Sequence, residues 1–139
     1  MSNEVRLIRS PTLAAAPYAY ATTAPPGRQL VVLAGACPLN SDGSTFAPGS
    51  YSAQAVAVLD NLEVTLSDVG ASLTDVVSTR VLVATMDRGD LSTVWNVVAD
   101  RFGAHDVPST LFGVTILGYP DQLVEVEAIV AMPEVTPGR

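Results

Sequence analysis

Apolar residues recur along the chain with the period of helices in two segments. From Ser52 to Val69 they fall at helical spacing, and Gly70 follows where a helix C-cap glycine belongs. Ser50 or Ser52 is suited to cap the start of this helix. A second stripe predicts a helix from about Leu91 to Phe102, after a polar turn; its apolar positions are Leu91, Val94, Trp95, Val98 and Phe102.

Other segments have the composition of strands. The stretch from Val76 to Ala84 is rich in β-branched residues, which predicts a strand buried on both faces. The stretch from Gln122 to Ala131 alternates between apolar and acidic positions. In chain order, the predicted strands are one between Val5 and Thr23 interrupted by Pro11 and Pro17, then Gln29 to Ala36, Val76 to Ala84, Thr110 to Ile116 and Gln122 to Ala131.

The order of elements is therefore ββαβαββ, which predicts an α+β fold with a mixed β-sheet and two helices on one face. The 139 residues predict a single domain, with its core over about 14–132 and a frayed tail after Pro133. Hydrophobic residues make up 48% of the chain and charged residues 15%. Because the strands are apolar on both sides, we expect a second subunit to cover the free sheet face.

Charge and composition exclude several kinds of chemistry. The chain has 14 acidic and 7 basic residues, and every basic residue is arginine. Without lysine, Schiff-base catalysis and a Walker-type phosphate site are ruled out. The net charge of −7 disfavours nucleic acid as a partner. One cysteine and one histidine provide neither an internal disulfide nor a conventional zinc cluster, so no metal or cofactor is predicted.

The location expected for the protein is cytoplasmic. No apolar run reaches the roughly 18–20 residues that a membrane span needs. The opening residues Met1-Ser2-Asn3-Glu4 lack the basic-then-apolar order of a signal peptide.

Several short motifs stand in a fixed order along the chain. They are Ala16-Pro17-Tyr18, Ala34-Gly35-Ala36-Cys37-Pro38, Gln54 to Leu62, Val69-Gly70-Ala71-Ser72 with Asp75-Val76-Val77, and Pro108 with Glu125-Val126-Glu127-Ala128. Each is weak alone, but their joint order and spacing cover residues 14–132. Together they resemble the motifs of the Rid (YjgF-type, RidA-like) family.

The resemblance implies a chorismate-mutase-like subunit that forms a homotrimer with three clefts between subunits. It also implies hydrolysis of a reactive imine or enamine to a carbonyl compound and ammonia, without a cofactor. The family pattern has an arginine two residues after the proline, which grips a substrate carboxylate, whereas this chain has Thr110 there. Ala36 likewise stands where the family has glutamine. These changes favour a substrate that lacks a carboxylate or has it bound elsewhere.

The candidate catalytic residue is Glu125, which by this resemblance orients or deprotonates the attacking water. The structural alternative is an exposed strand carboxylate beside Glu127. Arg80 interrupts an apolar strand and is expected either to compensate for the missing arginine or to pair with an acidic residue between subunits. The candidate substrate-binding residues are Tyr18, Gly35, Ala36, Cys37, Ser109 and Thr110.

Two further functions remain open beside the hydrolase. A non-catalytic trimer that binds a small molecule is compatible with Thr110 in place of arginine. A specialised biosynthetic or catabolic enzyme with a reshaped cleft is compatible with the small residues Ala34, Ala36 and Gly113. The ribonuclease activity associated with the family is least favoured, because the chain is acidic and lacks lysine.

Overall fold

A four-stranded mixed sheet with two helices on one face forms the body of the protein, which a computed structural model describes over residues 4–134. The sheet order is β3-β6-β4-β5; β4 and β5 are parallel and the other neighbours antiparallel. The elements are β1 (Arg6–Ile8), β2 (Ala21–Thr23), β3 (Arg28–Val32), α1 (Tyr51–Val69), a 3-10 turn (Leu73–Asp75), β4 (Val76–Ala84), α2 (Arg88–Phe102), β5 (Ser109–Val114) and β6 (Val124–Pro133).

The two helices begin and end at capping residues. The Ser50 hydroxyl accepts a hydrogen bond from the Ala53 amide at the start of α1, and Gly70 ends the helix with a left-handed φ of 85°. The prediction for this helix is confirmed to within one residue. Helix α2 starts earlier than predicted, because the Asp87 carboxylate caps the Gly89 amide and the polar turn becomes the first helical turn.

The core lies between the sheet and the helices. Strand β4 has the predicted bounds, and Val81 and Val83 are fully buried on the helix side. Strand β6 contributes a matching row of buried valines to the same side. The prediction that β4 is buried on both faces was wrong for the single chain. On the sheet face that points away from the helices, Arg80 is exposed.

The beginning of the chain departs most from the prediction. The single weak first strand is two short strands, β1 and β2, which pair with each other outside the main sheet. The Thr22 hydroxyl donates to the Val77 carbonyl (2.7 Å), which ties this ribbon to the start of β4. Strand β3 ends at Val32 and not at Ala36, because its pairing with β6 stops there. The predicted fraying after Pro133 concerns residues 135–139, which lie outside the described residues.

The sheet face opposite the helices is called the open face here. It carries apolar side chains that remain exposed, including Leu30 (67%) and Val32 (70%), together with Phe112 and Ile129. By strand alternation its members include Leu30, Val32, Arg80, Leu82, Ala84, Thr110, Phe112, Val114, Glu125, Glu127, Ile129 and Ala131. Neither helix in residues 4–134 combines the length and apolar character of a membrane span.

Candidate functional site

Glu125 projects from β6 onto the open face, with its carboxylate held at one oxygen. Oε1 accepts hydrogen bonds from the Cys37 thiol (3.3 Å) and from Nε2 of Gln122 (3.1 Å). The carboxylate lies directly over Gly35: a Cβ atom there would be 2.2 Å from Oε2. The predicted residues Glu125, Gly35 and Cys37 are thus brought together in one cluster.

The segment after β3 is fixed so that Gly35 and Cys37 face Glu125. Ala36 exchanges two backbone hydrogen bonds with Val126, of 2.7 and 3.1 Å. From α1, the Asn61 side chain donates to the carbonyls of Cys37 (2.9 Å) and Leu39 (3.1 Å). Ala36 therefore contributes to the cluster through its backbone.

Gln122 is a member of the cluster that the sequence analysis missed. Its side chain is buried, accepts from the Tyr119 amide (3.1 Å) and donates to both Val124 O (3.2 Å) and Glu125 Oε1. It was assigned to a strand, whereas it closes the turn before β6. In the sequence, the only indication was a polar residue three positions before the candidate carboxylate. Its burial, which gives it a role at the site, cannot be seen in one sequence.

Cys37 is held as a neutral thiol. Burial, together with the hydrogen bond and the negative charge of Glu125, raises the pKa of Cys37 to about 11. A thiol with so high a pKa is a weak nucleophile at neutral pH. Its chemical role at this site is to donate a hydrogen bond to Glu125.

Because Cys37 is the single cysteine, its ionisation can be followed by thiolate absorbance near 240 nm. We expect the folded protein to show a midpoint near pH 11. Since the Glu125 charge contributes to the rise, Glu125→Gln is expected to lower the midpoint. The Cys37→Ser variant provides the blank. A wild-type midpoint at or below that of the urea-unfolded chain would contradict the arrangement.

Gly35→Ala is expected to displace the Glu125 carboxylate without unfolding the protein. The added methyl group would meet the end of a flexible side chain, which can move. We expect unfolding free energy to change by less than about 1 kcal/mol, whereas the Cys37 thiolate titration moves downward as the carboxylate leaves. Gly118→Ala, where no atom lies within 4 Å of the added Cβ and φ is outside the left-handed region, is the control for glycine replacement. An unchanged Cys37 titration in Gly35→Ala would count against the close contact.

Tyr18, Ser109 and Thr110 form a second group on the other side of β4. They line a depression of about 320 Å³, together with Arg80. The Tyr18 ring packs edge-on against Tyr20, with centroids 5.8 Å apart; Trp95 makes a similar contact at 6.3 Å. The Ser109 hydroxyl accepts a hydrogen bond from Thr79 (2.8 Å).

Thr110 lies on the open face next to Arg80, whereas Ser109 is the direct partner of Thr79 and points with it toward the helices. Leu82 of β4 lies opposite Glu125, whereas Arg80 lies opposite Glu127 on one side and Thr110 on the other. Among residues 4–134, no three His, Cys, Asp or Glu side chains lie close enough together to hold a metal ion. The site therefore offers a carboxylate, a thiol, several hydroxyls and one guanidinium.

A family model described as Endoribonuclease L-PSP matches residues 9–132 of this chain. The fold is similar to that of YyfB from Yersinia pestis, a conserved Rid-family protein, with a TM-score of 0.86 and 26% identity over 93% of this chain and 99% of that one. This chain belongs to the Rid family. A RutC family protein of Pyrococcus abyssi is 30% identical over 99 residues, or 71% of this chain and 76% of that protein.

A second solved Rid relative is a member of the YjgF/YER057c/UK114 family from Mycobacterium tuberculosis. It is 30% identical, with a TM-score of 0.62, over 92% of this chain and 99% of that one. The predictions of Rid membership and of an α+β fold are confirmed. In this Rid protein, Gln54 and Asn61, two residues that carried the resemblance, bind loop carbonyls and have a structural role.

Proposed function

We propose that this Rid protein hydrolyses a small reactive imine or enamine to a carbonyl compound and ammonia. The observation that carries the proposal is the Glu125 carboxylate. Both hydrogen bonds from described side chains reach Oε1, and none reaches Oε2. A carboxylate held at one oxygen is positioned to accept a proton from water at the other.

The reaction needs little beyond a positioned water and a base. Glu125 Oε2 takes a proton as the water oxygen bonds to the imine carbon, and the C=N bond becomes a C–N bond. Glu125 passes this proton to nitrogen, which gives a neutral carbinolamine. Glu125 then moves the hydroxyl proton to the same nitrogen, so that C=O forms as the C–N bond breaks and ammonia leaves. An enamine substrate first tautomerises to the imine, because its carbon gains a proton and its nitrogen loses one. The imine is then hydrolysed in the same way. Because the substrate is already electrophilic, positioning supplies much of the rate.

The proposed assembly is a homotrimer whose clefts lie between subunits. The exposed apolar residues of the open face, Leu30 and Val32 above all, support a partner subunit on this face. Such a partner would cover Glu125 and exclude bulk water. Native mass spectrometry is expected to give three times the 14.4 kDa mass of one chain; a monomer at micromolar concentration would refute this assembly.

The decisive assay is ammonia release from imines generated in place by an amino-acid or amine oxidase, with semicarbazide trapping the remaining imine. The hydrolase predicts faster ammonia release and less trapped product when the protein is added. If ammonia release from every imine tested were unchanged by the protein, while a relative that has the arginine were active in the same assay, this function would be excluded. Ligand binding without turnover would instead support a small-molecule-binding trimer, the alternative that Thr110 favours.

The matching family model is named after an endoribonuclease. We do not propose that activity for this chain, because its net charge of −7 repels the phosphates of RNA and it has no lysine. The Glu125 carboxylate is contacted by Gly35, Cys37 and Gln122, none of which carries a positive charge.

A further inference from the structure

Arg80 is a cation on the open face without an anionic partner in residues 4–134. It lies mid-strand in β4 between Thr79 and Val81, which are buried toward the helices, so its own side chain points to the open face. The described ion pairs engage Arg9, Arg28 and Arg101, and no described hydrogen bond reaches the Arg80 guanidinium. A guanidinium enclosed when this face is covered needs an anion.

The register of the sheet places Arg80 beside the residue that replaces the family arginine. Arg80 and Thr110 are direct partners in the parallel pair β4–β5. Neighbouring strands lie about 4.8 Å apart, so the positive charge is displaced by one strand from the position it has in the family pattern. Thr110 leaves room for the Arg80 side chain on that side.

The depression next to Thr110 is built to receive an anion. Nine residues line it, and Arg80 alone among them carries a charge at neutral pH. The hydroxyls of Tyr18 and Thr110, two of the residues that line it, make no hydrogen bond to the described residues and can donate to a ligand. Glu127, the direct partner of Arg80 in β6, lines a different depression of about 200 Å³ to which Arg80 also contributes, but the two side chains form no ion pair in the described residues.

Arg80 is also within reach of a substrate held at Glu125. Leu82, the next open-face residue of β4, is the direct partner of Glu125, so Arg80 is its diagonal neighbour. Diagonal neighbours in an antiparallel pair are about 7–8 Å apart, a separation that long side chains span. One small molecule can therefore contact both the base and the cation.

We propose that Arg80 binds the substrate carboxylate, assisted by the hydroxyl of Thr110, and so replaces the arginine absent at position 110. The inference rests on the proposed hydrolase and specifies its substrate as an imine with a carboxylate on or next to the reacting carbon. Of the two alternatives that Thr110 leaves open, a substrate without a carboxylate and one whose carboxylate is bound elsewhere, it selects the second.

The test measures binding of 2-oxobutanoate, a 2-oxo acid of the product class, by isothermal titration calorimetry. Arg80→Thr is expected to weaken binding by about tenfold or more, because a charge-assisted hydrogen bond is lost. The exchanged variant Arg80→Thr/Thr110→Arg is expected to restore at least half of the lost binding free energy, since it returns the cation to the same depression. Arg88→Thr, which removes one positive charge at the start of α2, is the matched control and is expected to bind as wild type does.

Turnover separates this inference from the proposed function. In Arg80→Thr, KM for imino acids is expected to rise about tenfold, whereas kcat/KM for a carboxylate-free imine stays within about twofold. Binding of 2-oxobutanoate that is lost in Arg80→Thr and regained in the exchanged variant supports the carboxylate site, even if no imine is hydrolysed. Unchanged binding in Arg80→Thr overturns it while leaving the hydrolase intact. The inference is also overturned if Arg80→Thr weakens binding, the exchanged variant does not restore it, and the oligomer dissociates. Arg80 would then be assigned to a contact between subunits.

Discussion

Glu125→Gln is expected to reduce kcat for imine hydrolysis by about 10²- to 10⁴-fold. The amide keeps the size of the side chain and can still accept hydrogen bonds from Cys37 and Gln122 through its oxygen, but it cannot take a proton from water. The loss should therefore be chemical and not structural. Ammonia release at saturating substrate measures it, with circular dichroism and native mass confirming an intact protein.

Glu63→Gln is the matched control for Glu125→Gln. Glu63 lies on the solvent side of α1, where its carboxylate pairs with Arg101 (2.7 Å) on α2. The substitution removes the same charge and is expected to change kcat by less than about twofold, since exposed ion pairs contribute little. If Glu125→Gln retained more than a tenth of the wild-type kcat, general-base catalysis by this residue would have to be abandoned.

Gln54→Leu is expected to lower the free energy of unfolding by about 2–5 kcal/mol. Gln54 is fully buried at the start of α1. Its Nε2 donates to the carbonyls of Ala47 (3.3 Å) and Asp121 (2.9 Å), and its Oε1 accepts from the Leu123 amide (2.7 Å). Leucine matches the volume but removes the partner of the Leu123 amide and of the Asp121 carbonyl, and a backbone group left unpaired costs about 1–3 kcal/mol. The Ala47 carbonyl still accepts from the Ser50 amide (3.1 Å).

Urea unfolding at one fixed protein concentration measures this effect, because an oligomer's stability depends on concentration. Gln29→Leu is the control: Gln29 is exposed on β3, and its replacement is expected to change the free energy by less than about 0.5 kcal/mol. Equal unfolding midpoints for the two leucine variants would show that the Gln54 contacts do not contribute to stability.

The elements predicted best are those whose signal is local. Helix α1 is defined by its own apolar spacing and by Gly70, and β4 by its run of β-branched residues, so no distant contact is needed to place them. The ends of β3 depend instead on β6, nearly a hundred residues later in the chain. Pairing stops at Val32 opposite Ile129 and resumes at Ala36 opposite Val126. Such a register cannot be read from the segment itself.

The candidate site shows the same division. Glu125, Gly35 and Cys37 were selected by motif resemblance, and the structure places them in contact. The reason for glycine at position 35 is the Glu125 carboxylate, from a distant part of the chain, which only the folded protein brings near. Gln122 was missed because its hydrogen bonds depend on the turn that precedes β6. The adjacency of Arg80 and Thr110 likewise follows from strand register.

The strand order β3-β6-β4-β5 separates the residue proposed for chemistry from one proposed for recognition. Glu125 and Arg80 lie on the two inner strands, which are paired on both sides, whereas Thr110 and Phe112 lie on the edge strand β5. Substitutions on an edge strand disturb fewer neighbours than those on an inner one. Thr110 and Phe112 are therefore the positions at which a directed-evolution library can vary substrate preference while the proton acceptor is left in place.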